Sequence, residues 1–201
     1  MKILKISILS VLVLFFLSTA MNGVLFGQEA TPDQKDMQKK MEELMTPGPN
    51  HKYLEYFAGP WTIVVQTWMQ PGAEPMVAKG ETDGVMILGG RYLQYKMTGS
   101  MMGMPYEGVN ISGYNNFKKE FFSVWLDNFG TGLYDTYGTL DATGKIRTET
   151  GIWDDPTTGG KSKVKLVDAI VDNDKHIFTM YMVSPDGTEF KYMVIEYTRK
   201  K

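Results

Sequence analysis

Residues 59–69 read Gly-Pro-Trp-Thr-Ile-Val-Val-Gln-Thr-Trp-Met, and the texture of the chain changes there. Trp61, Ile63, Val65 and Met69 share one parity, the two-residue period of a strand with one apolar face. The pattern continues toward the C-terminus, with further runs at roughly 77–88, 91–100, 106–114, 121–128, 133–140, 145–153, 163–171, 176–183 and 189–198. Turn clusters separate them, among them Asn115-Asn116, Asp141-Ala142-Thr143-Gly144, Asp172-Asn173-Asp174 and Pro185-Asp186-Gly187. Links this short join antiparallel neighbours, because parallel pairs need long crossovers. An open sheet of about ten twisted strands would leave long unpaired edges, which closure removes. The expected fold is all-β, an antiparallel up-and-down barrel of about ten strands, with a two-sheet sandwich as the alternative.

Upstream of this run the chain reads differently. Residues 30–46 are polar, with Met37, Met41, Leu44 and Met45 at helical spacing, a start at Thr31-Pro32-Asp33 and a stop at Pro47-Gly48-Pro49. A second helical turn is expected over 51–57, with Leu54, Phe57 and Ala58 apolar on one side. Lys2 and Lys5, the apolar run Ile6–Leu17 and the small residues Ser18-Thr19-Ala20 together read as a signal peptide. Cleavage after Gly27 competes with cleavage at 20, and an uncleaved anchor would extend the run to Phe26. The expected division is a signal peptide at 1–20, a helical lead-in at 21–50 and the barrel domain at 51–201. The expected location is periplasmic or secreted, without a stable membrane span once the leader is removed.

The 201 residues carry a formal net charge of −2, which gives no electrostatic reason to expect nucleic acid as a partner. With no cysteine, disulfides, thiolate catalysis and cysteine-bound zinc are excluded. Fifteen methionines and eleven tyrosines are a rich complement; methionine suits an irregular core or a surface that accepts varied apolar ligands.

Gly59-Pro60-Trp61 at the start of the meander and Arg199 at its end resemble lipocalins, where a G-x-W motif plugs the barrel base under a distant basic side chain. The chain more closely resembles a bacterial exported family known as domain of unknown function 1579. The matching residues are Pro49-Asn50-His51, Leu54, Phe57, Gly59-Pro60-Trp61, Leu88-Gly89-Gly90-Arg91-Tyr92-Leu93, Gly113-Tyr114-Asn115, Trp125-Leu126-Asp127, Gly130-Thr131-Gly132, Asp154-Asp155-Pro156 and Tyr197-Thr198-Arg199-Lys200. That resemblance implies a secreted or periplasmic lipocalin-like (calycin-type) barrel and brings no established activity.

Parity nominates Arg91, Tyr95, Met97, Met180, Met182 and Met193 as an interior face, with Trp125 at a barrel mouth beside Gly130-Thr131-Gly132. Arg91 is read either as one half of a buried ion pair with Glu196 or Asp168, or as the partner of an anionic ligand head. The loop Met101-Met102-Gly103-Met104-Pro105 either lids an apolar cavity or packs on the outer wall. His51 is expected to bond the backbone near the closed end. His176 invites a haem reading, but Thr62-Ile63-Val64-Val65 after Trp61 departs from the G-x-W-x-G-x-G of haem-binding barrels, so no cofactor is expected. No catalytic or metal constellation stands out, and the hydrolase, zincin and phosphate-loop motifs are absent. The expected function is binding of a small apolar or amphipathic molecule. A filled barrel serving as a structural or interaction protein of the cell envelope is one alternative, and an enzyme using interior carboxylates such as Asp127, Asp168 and Glu196 is another.

Overall fold

The computed structural model describes residues 31–155 and 159–201; the expected leader and both cleavage points lie outside the described residues. Two helices come first, α1 (Pro32–Met45) and α2 (Pro49–Glu55). Ten strands follow: β1 (Gly59–Thr67), β2 (Met76–Ile87), β3 (Tyr92–Met101), β4 (Met104–Asn115) and β5 (Glu120–Asp127), then β6 (Tyr134–Leu140), β7 (Ile146–Asp155), β8 (Gly160–Ile170), β9 (Lys175–Val183) and β10 (Glu189–Arg199). Each strand pairs antiparallel with its chain neighbours, and β1 pairs with β10, so the meander closes into a barrel. The sandwich alternative is thereby excluded. Among the described residues no helix is long and apolar enough to cross a membrane.

One compact unit, Glu42–Lys201, holds α2 and the ten strands. α1 starts at a reciprocal cap: Gln34 N–H donates to Thr31 Oγ1 (3.3 Å) and Thr31 N–H to Gln34 Oε1 (2.9 Å), with Pro32 at the first helical position. At its other end, within the unit that begins at Glu42, the freed carbonyls are met by side chains from the strand connections. Asn116 Nδ2 donates to the carbonyls of Glu43, Leu44 and Thr46, and Arg91 Nη2 donates to that of Met45 (2.8 Å).

α2 plugs one end of the barrel. Leu54 and Phe57 pack there with Leu93 and Phe121, burying the apolar side that the sequence placed on this turn. Trp61 sits beneath them, 1% exposed, its Nε1–H donating to the Phe57 carbonyl (3.1 Å). Register sets Arg199 directly opposite Trp61, with the guanidinium 3.9 Å from the ring centroid. Arg199 also donates to the carbonyls of Ala58 (2.9 Å) and Tyr56 (2.7 Å), tying the end of the chain to the exit of α2. Gly59 turns the backbone into β1 at φ 90°, a conformation that disfavours a side chain.

His51 lies at the same end, and its Nδ1 accepts from the Gly48 N–H (3.0 Å), the backbone role expected of it. Burial lowers its pKa from 6.5, opposed by a backbone bond at Tyr114 and reinforced by Arg91. Below about 6.5 the unfolded chain therefore takes up a proton that the native chain resists, so this contribution is complete above that pH and is lost as the pH falls toward the folded value. Urea unfolding of wild type and His51→Gln is expected to show a steeper loss of stability between about pH 7 and 5 in wild type. Equal slopes would remove His51 from the account.

Candidate ligand cavity

Above this plug the barrel is hollow. A cavity of about 920 Å³ runs from the plug toward the opposite end, within the range of roughly 300–1,000 Å³ that suits small molecules. At the plugged end only about 20 Å³ remains open.

The cavity has two kinds of wall. On one side inward residues of β1, β3, β9 and β10 present Ile63, Val65, Met97, Met180, Met182 and Met193. Tyr95 and Trp125 also line it, so six of the seven candidate ligand-binding residues share one space. Gly108 faces Trp125 across the β4–β5 ladder, and a side chain at 108 would collide with the indole. Its absence lets the ring lie across β4, stacked on Tyr106 at 6.5 Å.

Arg91, the seventh, is elsewhere. Leu88, Gly89 and Gly90 all have positive φ, so the chain is still turning at 91 and β3 begins only at Tyr92. Its guanidinium bonds the carbonyls of Leu88 (3.0 Å) and Met45 (2.8 Å), away from the cavity. Neither Glu196 nor Asp168 pairs with it. Glu196 faces outward against Lys175 (3.0 Å), whereas Asp168 lines the cavity.

The buried guanidinium belongs to Arg147, which the sequence reading missed. It stands directly across from Asp168 in the β7–β8 register, with Nη2 3.6 Å from Asp168 Oδ2 and Nε 3.6 Å from Glu149 Oε1. Burial alone would lower the arginine pKa, but the two carboxylates hold it above its ordinary value. Around this pair runs a polar network spanning β4 to β9. Ser112 Oγ donates to Asn110 Oδ1 (2.6 Å) and lies 3.0 Å from Ser123 Oγ. Ser123 donates to Glu149 Oε1 (3.2 Å), and Thr136 donates to Glu149 Oε2 (2.7 Å). Asp168 Oδ1 is bonded to His176 Nδ1 (2.9 Å). Each member is nearly sealed from solvent, as buried polar groups with partners can be.

His176 stacks on Tyr197 at 4.0 Å and meets Trp61 edge-on at 4.8 Å. It borders the small void at the plug and not the main cavity, which leaves it without the open side an axial ligand needs. Nearer the mouth, Asp127 Oδ2 accepts from Trp125 Nε1 (2.9 Å) and Tyr106 OH (3.2 Å). The methionine loop is a two-residue hairpin with positive φ at Met102 and Gly103, the turn that matches strand twist. It borders the cavity: exposed Met101 and Met102 stand at the rim, with Met69 from the β1–β2 connection and Met76 at the start of β2.

The sequence matches a family model described as a protein of unknown function, DUF1579, over residues 46–199. A comparison with curated proteins finds no match. Among solved structures the chain is similar to Rv2717c from M. tuberculosis, with a TM-score of 0.57 at 15% identity, covering 78% of this chain and all of that one. It is also similar to the S-type phycobiliprotein lyase CPES from Guillardia theta, with a TM-score of 0.54 at 10% identity over 81% of this chain and 97% of that one. At such identities the likeness speaks to the fold alone.

Proposed function

The chain belongs to the DUF1579 family of proteins of unknown function, and from its own cavity we propose that it binds a small amphipathic molecule inside the barrel. The observation that carries this reading is a space of about 920 Å³ with a methionine wall facing a wall of hydrogen-bonding groups. A barrel that served only as a filled scaffold would close such a space, since voids in packed interiors are small and costly. The methionines supply soft, adaptable contact for an apolar portion, and the opposite wall supplies partners for a polar one.

Titration with N-phenyl-1-naphthylamine, an uncharged apolar fluorophore, tests the proposal. Wild type is expected to bind it with saturable enhancement of emission. Met97→Trp and Met182→Trp, which add bulk on two different strands of the apolar wall, are expected to weaken binding by about tenfold or more, about 1.4 kcal/mol. Absence of saturable binding in wild type, or equal binding by both folded variants, would return the barrel to a structural role.

A further inference from the structure

The polar wall also discriminates by charge. Asp127, Glu149 and Asp168 place three formal negative charges along the cavity, against one positive charge from Arg147. Of the exposed rim residues, Asp154 is paired with Lys161 (3.2 Å) and Lys79 stands in solvent, where its charge is screened. Even with His176 protonated beside Asp168 the balance stays negative. The tyrosine hydroxyls do not change the count, because burial raises the pKa values of Tyr95, Tyr106 and Tyr197 and keeps them neutral. Arg147 is already engaged by two carboxylates, so it offers no uncompensated charge to an anion. Its Nη1 has no hydrogen-bond partner but is sealed from the cavity, so it offers an incoming oxygen no donor. Hydrogens on a head group could instead donate to the carboxylates that line the cavity.

We propose that the occupant of this cavity is an amphipath whose hydrogen-bonding head carries no negative charge, such as a hydroxyl, amide or amine, and that long-chain carboxylates are discriminated against. This rests on the binding reading above and narrows it to a ligand class. The physical basis is that charges in a cavity of reduced dielectric act over longer distances than in water, so like charge at the wall is felt by the head.

The test matches chain length and varies only the head. Dodecanoate, 1-dodecanol and dodecylammonium are titrated at neutral pH and fixed ionic strength, below their aggregation thresholds, by displacement of N-phenyl-1-naphthylamine. The two ions both lose hydration on entry, so their comparison isolates the sign of the charge. Dodecylammonium is expected to bind about tenfold or more tightly than dodecanoate. In Asp127→Asn, which keeps an acceptor oxygen for Trp125 and Tyr106, that ratio is expected to shrink severalfold. Dodecanoate binding as tightly as dodecylammonium, or a ratio unmoved in Asp127→Asn, would overturn the charge inference while leaving the binding reading intact. Failure of all three probes and of the fluorophore itself would remove both.

Discussion

Trp61→Ala is expected to cost about 3–5 kcal/mol in urea unfolding, the range for emptying a large aromatic site in a core that relaxes incompletely. The ring is sealed between α2 and the barrel, its indole nitrogen satisfies the Phe57 carbonyl, and His176 packs edge-on against it. Truncation thus opens a void and leaves a buried carbonyl without its donor, two losses that add. Arg199→Ala is expected to cost less, because its guanidinium lies partly in solvent and water can replace some of its bonds. The double variant separates the stack from the two individual losses. A coupling of about 0.5–1.5 kcal/mol is expected for a cation over an indole at 3.9 Å. Strict additivity would mean that Arg199 holds the closed end through the Tyr56 and Ala58 carbonyls alone.

Arg147→Ala is expected to be as damaging, for an electrostatic reason. Removing the cation leaves Glu149 and Asp168 buried together without a positive partner, and loss of one member of a buried ion pair costs about 3–5 kcal/mol. The stability gap between this variant and wild type is expected to narrow as the pH is lowered, since a protonated carboxyl needs no cation beside it. The triple variant R147M/E149Q/D168N, which removes the charges together, is expected to be more stable than Arg147→Ala. Should the single variant lose less than about 1 kcal/mol, the cluster would be behaving as a hydrated surface pair and the cavity wall would be wetter than its burial indicates.

The contrast between these two sites shows where the sequence is informative. The Trp61–Arg199 contact was legible because both residues sit at the limits of the meander, and closing it brings those limits together. The methionine wall was legible because Met180 and Met182 alternate with polar neighbours in the pattern of a half-buried strand. Arg147 and Glu149 were not. They share a parity on β7 whose other face carries Ile146, Thr148, Thr150 and Ile152, so the usual preference for burying apolar side chains assigns the charges to solvent. The structure reverses this: Ile146 and Ile152 are exposed and the two charges are buried. A weak signal existed in Asp168, which lies on the same parity as Val164 and Leu166, making one inward carboxylate plausible and an inward cation useful to it.

Arg91 failed for a different reason, since parity has meaning only inside a strand and that strand begins one residue later. The sequence by itself determined the approximate number of strands and their antiparallel order, because the two-residue period, turn chemistry and short links act locally. Closure into a barrel and not a sandwich was decided by the long-range pairing of β1 with β10. The tertiary structure alone decided which face of β7 turns inward. A period of two is unchanged when a strand is turned over, and burying Arg147 becomes tolerable only once register sets Asp168 opposite it, 21 positions along the chain.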